Sequence, residues 1–160
     1  MMRPTKNSLS EQTRSAVCET LNVDLAVLTD LYSQTKQAHW NVRGQEFYYL
    51  HLLFDRLAET VEAHIDPLAE RLTSLGGTTK GTVRQAAKNS PLAEYPDVDS
   101  LGSGMAYLEA LIERYATAAN RFRADVDKTA EHGDVNTSDL LTGICRDLDK
   151  SLWFLEAHQR

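Results

Sequence analysis

Two histidines and three carboxylates between His39 and Glu70 are spaced to suit a metal: His39, then His51 and Asp55 four apart, then Asp66 and Glu70 four apart. Imidazole nitrogen and carboxylate oxygen together suit iron, and also manganese or zinc. Carboxylates bring negative charge and shift between terminal and bridging modes as Fe(II) becomes Fe(III). On a helix, an i, i+4 pair shares one face. Eleven residues make nearly three turns, so the pair His51/Asp55 and the pair Asp66/Glu70 share a face with each other, within an arc of roughly 100°. The leucines of the same segment centre well away from that arc, so the four donors do not point into their own core.

Distance limits what these donors can do together. Asp55 and Asp66 are separated by ~16 Å along a helix rising ~1.5 Å per residue. One ion cannot bind both within one chain. His39, across a short turn, can reach His51 and Asp55 in an antiparallel hairpin, which leaves Asp66 and Glu70 alone at the far end. A two-fold axis resolves this. With two copies packed so that these helices run antiparallel, His39, His51 and Asp55 of one copy face Asp66 and Glu70 of the other, and each pair of copies carries two equivalent sites. The plainer readings are a hydrogen-bonded core histidine at 39 and a solvated acidic face, the reading that Glu59 and Glu62 on the same stripe invite. No Glu-x-x-His occurs in the chain, which excludes the bundle-core di-iron site built on that motif.

Four long helices must position these residues. Ser8 followed by Glu11 fits a capping box, predicting a helix from near Leu9 to Arg43-Gly44. Its stripe is Val17, Leu21, Leu25, Leu28, Tyr32, Thr35, His39 and Val42. A second runs from near Glu46 to Leu75, where Gly76-Gly77 stops it, with Leu50, Leu53, Phe54, Leu57, Val61, Ile65, Leu68 and Leu72 inward. Pro67 inside it predicts a kink beside Asp66, either aiming that carboxylate or a tolerated local bend. Residues 76 to 100 form a long crossover in which TVRQAAKNS can hold a short helix. A third long helix is predicted over about Leu101 to Ala130 and a fourth from Thr137 or Ser138. The fold class is all-α, two helical hairpins joined by a long crossover, as in ferritin-like four-helix bundles. Residues 1 to 8 read as a flexible tail and residues 9 to 158 as one domain.

The 160 residues carry a net charge of −6, which favours cations and disfavours nucleic acid bound through the global field. No apolar run reaches the ~20 residues of a membrane span, so no membrane partner is expected. The start, MMRPTKNSLSEQ, lacks the apolar core of a secretory signal, and a cytoplasmic protein is expected. Cys18 and Cys145, far apart, read as reduced, buried thiols.

At His39-Trp40-Asn41-Val42-Arg43-Gly44, with Leu50-His51 and Asp55, the chain resembles the Dps family, the mini-ferritins named for DNA-binding proteins of starved cells. Asp66, Leu68-Ala69-Glu70-Arg71 and Leu75-Gly76-Gly77 match its second signature, and Arg146 to Lys150 with Leu152 to Glu156 is similar to its fourth-helix ending. The resemblance spans about residues 10 to 157. Thr79 stands where the family usually has Ala or Pro.

The resemblance implies a hollow dodecamer of two-fold dimers that oxidises Fe(II), preferably with hydrogen peroxide, and stores the ferric mineral, a role in oxidative stress. It implies ferroxidase centres of one or two irons at two-fold interfaces, with His39, His51 and Asp55 from one subunit and Asp66 and Glu70 from its partner. It places Trp40 near the centre, as a radical trap or a packing residue. It likens Asp139, and more weakly Asp134, to acids lining three-fold iron pores; loop or N-cap acids are the plain alternative. DNA binding in this family commonly rests on a Lys/Arg-rich tail. Here Arg3, Lys6 and Arg14 are a sparse version, so nucleoid association is the alternative function. A third is a bundle that buffers zinc or manganese without redox turnover.

Overall fold

The computed structural model describes residues 2–159. Helix α1 spans Glu11–Asn41, α2 Phe47–Ser74, α3 Val83–Asn89, α4 Gly104–Glu131 and α5 Val135–Glu156, with a 3-10 turn at Val98–Ser100 between α3 and α4. Among the described residues there is no strand.

Cross-helix bonds fix the arrangement. Cys18 Sγ reaches Leu72 O while His39 pairs with His51, so α1 and α2 are antiparallel. Ser138 Oγ donates to Val126 O and Cys145 Sγ to Ala119 O, which makes α4 and α5 a second antiparallel hairpin. Thr35–Tyr115 and Arg121–Asp24 join α1 to α4, and His64–Asp147 and Arg71–Asp134 join α2 to α5, each antiparallel. The two hairpins thus close into a four-helix bundle, with α3 in the crossover packed on α1.

The core is the one the leucine spacing predicts. Leu21, Leu25 and Leu28 of α1 meet Leu50, Phe54, Val61, Leu68 and Leu72 of α2, with Leu108, Leu111, Tyr115 and Phe122 of α4 and Leu141, Ile144, Leu148 and Leu155 of α5. Tyr32, Leu53 and Ile65 are only half-buried at its rim. Cys18 and Cys145 are buried free thiols, and burial pushes both thiols up from their ordinary value.

Helix ends depart from the sequence expectation in instructive ways. Asn7 Oδ1 accepts from the Leu9 N–H at 2.9 Å, holding this stretch in a turn, so α1 starts two residues late. Ser10 is the N-cap, its Oγ accepting from Thr13 N–H at 3.0 Å, and the Ser8–Glu11 box does not form. Asp134 caps α5, which therefore begins at Val135. Ser103 caps α4 at Gly104, because Val98–Ser100 takes up the residues just before. Thr82 and Gln85 form a reciprocal capping box that starts α3 within the expected segment.

At the end of α2, Gly76 has φ +87° and its N–H bonds to Thr73 O, while Gly77 N–H bonds to Leu72 O, a Schellman ending that needs glycine. A Cβ on Gly77 would sit 2.6 Å from Cys18 Sγ. The segment before α1 is held here too. Arg3 N–H donates to Gly76 O at 2.7 Å, and its guanidinium donates to Gly77 O. Arg14 Nη1 donates to Leu75 O at 2.7 Å. Within the stretch expected to be a mobile tail, Arg3 thus bonds backbone carbonyls at and just past the end of α2, where a helix terminus leaves carbonyls without partners. No helix among the described residues is long and apolar enough to cross a membrane.

Candidate metal centre

His39 lies in the last turn of α1 and His51 in the second turn of α2, so the tight turn between the helices brings the rings together. Their centroids are 3.8 Å apart at 21°, a stacked pair. His39 Nδ1 is 2.9 Å from His51 O, and His51 Nδ1 is 2.9 Å from His39 O. A carbonyl only accepts, so both Nδ1 atoms carry the proton. In the neutral ring each Nε2 then keeps its lone pair free to ligate. The backbone itself selects the ligating tautomer.

Asp55, one turn beyond His51, has Oδ1 at 3.8 Å from His39 Nε2. Lys36 Nζ bonds the same oxygen at 2.7 Å, and this bond, helped by the charges of His39, Lys36 and His51, holds the Asp55 carboxyl below its ordinary value. Asp55 thus stays an anion. Sequence reasoning passed over Lys36, although it lies three residues before His39 and so on the same face of α1.

Asp66 and Glu70 stand exposed on α2 at the other end, on the stripe the spacing predicted. Among the described residues neither carboxylate has an ion-pair or hydrogen-bond partner, and no three His, Cys, Asp or Glu side chains converge to hold an ion. The structure therefore brings His39 beside His51 and Asp55, short of a set of three that could hold an ion, and leaves Asp66 and Glu70 apart. Trp40 is 67% exposed, so it is no part of the bundle core; Lys36 Nζ lies 6.0 Å from its ring.

The other sequence candidates divide. Asp134 is 2% exposed, ion-paired with Arg71 at 2.7 Å and bonded to Thr137, so both its oxygens serve the α5 N-terminus rather than a channel. Asp139 is exposed on α5 and lines a cleft of about 430 Å³ with His64, Arg146 and Asp147. His64 Nε2 is 2.9 Å from Asp147 Oδ2, a pair that spacing along one chain does not reveal.

A ferritin-like domain matches residues 18–160. The chain is 44% identical to the DNA protection during starvation protein of Agrobacterium fabrum, over 96% of this chain and 94% of that one. It is 31% identical to DNA protection during starvation protein 2 of Bacillus anthracis, over 88% and 94%. Among solved structures, DpsC from Streptomyces coelicolor superposes with a TM-score of 0.93 at 31% identity, covering 100% of this chain and 92% of that one. The Dps protein of Vibrio cholerae, described as one of the ferritin-like diiron-carboxylate proteins, superposes with a TM-score of 0.89 at 26% identity, covering 100% and 98%.

Proposed function

The chain belongs to the Dps family of ferritin-like proteins, and on that footing we propose that it is a ferroxidase that takes up Fe(II), oxidises it with hydrogen peroxide and stores the ferric product. The observation that carries this reading is the reciprocal bonding of His39 and His51, which leaves two imidazole lone pairs beside an ionised Asp55. Such a set can ligate as well as pack. It is a half-site, and Asp66 and Glu70 of a two-fold partner complete it.

Iron is the substrate here. His39, His51 and Asp55 bind and orient Fe(II), and the partner's pair closes the shell with negative charge that favours the ferric state. Two Fe(II) give two electrons to one hydrogen peroxide. With two waters the products are two ferric oxyhydroxide units and four protons, so the reaction removes both reagents of hydroxyl-radical formation. The assembly is a dodecamer of two-fold dimers in the cytoplasm, with Asp139 among the acids that admit iron. Trp40, exposed beside the half-site, is placed to donate an electron to an escaping radical.

Protection of DNA follows from this chemistry without binding. The shell is acidic, and Arg3, the first basic residue of the N-terminal segment, is engaged by α2 carbonyls. The test is anaerobic Fe(II) mixed with the protein and then with stoichiometric peroxide, followed optically beside a sizing column. The expected result is oxidation far faster than in buffer, with iron co-eluting with an oligomer. Oxidation no faster than in buffer overturns the enzyme; zinc or manganese held with no peroxide turnover makes the protein a metal buffer.

A further inference from the structure

Far from the metal-binding end, α1 and α4 bury a second set of charges. Asp24 is 0% exposed and Asp125 6%. Arg121 Nε donates to Asp24 Oδ1 at 2.9 Å, and Arg121 Nη2 lies 3.1 Å from Asp125 Oδ2. Yet the second contact is not aligned as a hydrogen bond, and both Asp24 Oδ2 and Asp125 Oδ2 are buried with no partner. One guanidinium therefore faces two carboxylates. If both were ionised, the seam would hold an uncompensated negative charge and two orphan acceptors inside the bundle, which a low-dielectric interior resists.

We propose that Asp24 and Asp125 share one proton, so that the α1–α4 seam is a joint that is firmest in acid and loosens as pH rises above the ordinary carboxylate range. A proton on one carboxyl turns an orphan acceptor into a donor for the other and reduces the seam to one carboxylate facing one guanidinium. The charged groups acting on Asp24 are Asp125 and Arg121, both from α4; among the described residues α2, α3 and α5 bring none. A metal ion fits worse than a proton, because the Arg121 cation already occupies the site.

Burial first, then the Asp125 charge, pushes the Asp24 carboxyl well up from its ordinary value, against the pull of Arg121. For a group raised in the folded state, its contribution to stability is fully present below the ordinary carboxylate value and is lost as pH rises through the raised one. Both carboxylates face the one Arg121 guanidinium, so a single proton serves the pair. This inference does not rest on the iron chemistry and stands or falls apart from it.

The test is infrared spectroscopy of the whole oligomer in heavy water from mildly acid to alkaline pH, with urea unfolding midpoints over the same range. The wild-type protein should show the carbonyl stretch of a protonated carboxylic acid at neutral pH, fading as pH rises. Asp24→Asn should remove that band and flatten the fall of the urea midpoint with rising pH, with peroxide-driven Fe(II) oxidation unchanged. Should Asp24→Asn not fold, Asp125→Asn is expected to remove the same band. A wild-type spectrum with no acid band at neutral pH overturns the proposal, as does an Asp24→Asn midpoint that falls with pH as steeply as the wild type.

Discussion

The two ends of α2 carry the same kind of residue in opposite states. At the N-terminal end His51 and Asp55 are tied to α1 by a ring stack, two backbone bonds and the Lys36 ammonium. At the C-terminal end Asp66 and Glu70 face outward with nothing to hold them, although the helix end beyond them is clamped by Arg3 and Arg14. One half of the centre is organised before a partner arrives, and the other is left open for it. In the built half the one carboxylate, Asp55, is paired with the Lys36 ammonium, which offsets its charge. In the proposed centre, the two bare carboxylates of a partner copy supply the negative charge this half lacks.

The hardest break of this comparison is to remove either half. His51→Ala with Asp55→Ala, and separately Asp66→Ala with Glu70→Ala, should each lower peroxide-driven Fe(II) oxidation by at least ~100-fold, the scale on which metal sites lose function when ligation fails. The two variants should differ in stability. The first loses the stack and one backbone bond and should unfold about 1–2 kcal/mol more easily in urea, whereas the second should match the wild type. Equal destabilisation would mean that Asp66 and Glu70 have partners within the chain after all.

Mixing the two inactive variants under conditions that exchange subunits sharpens the point. Random pairing makes half the dimers mixed, and each mixed dimer has one intact site of two, so activity should return to about a quarter of wild type. No recovery would refute donors shared across a two-fold axis. Lys36→Met frees the Asp55 oxygen and should tighten Fe(II) binding, by at most roughly fivefold because the pair is half-exposed and screened. Weaker binding on titration would instead make Lys36 an orienting residue.

The smallest effect belongs to the far end's clamp. Arg3→Ala removes side-chain donors to the α2 carbonyls and should cost about 1 kcal/mol of stability with no change in iron oxidation. The wild-type protein should give no gel shift with duplex DNA even at low salt, where phosphate contacts are strongest. A shift lost on deleting the first residues would return the segment to a nucleic-acid role.

Much of this was legible in the sequence, and what was not has a common physical cause. Leucine spacing gave the four long helices and their inward faces, because burial enforces a 3.6-residue period. The stop at Gly76-Gly77 was legible because only glycine adopts that left-handed ending cheaply. Capping was less so. Ser8 and Ser10 are chemically equal, and the Asn7 turn decided between them. Asp139 and, more weakly, Asp134 read as acids near the start of a helix, yet Asp134 is buried under Arg71 from another helix and Asp139 is exposed.

The sequence by itself set the spacing of the five candidate donors, and helix rise puts Asp55 and Asp66 too far apart along α2 for one ion of a single chain. Only the tertiary structure decided how the built half is held: the stacked rings, the tautomer dictated by two carbonyls, and Lys36 on Asp55. It alone joined Asp24 to Asp125 and Arg121, and Arg3 to the end of α2. Spacing along a helix is a property of the chain, whereas a contact between helices depends on how they pack.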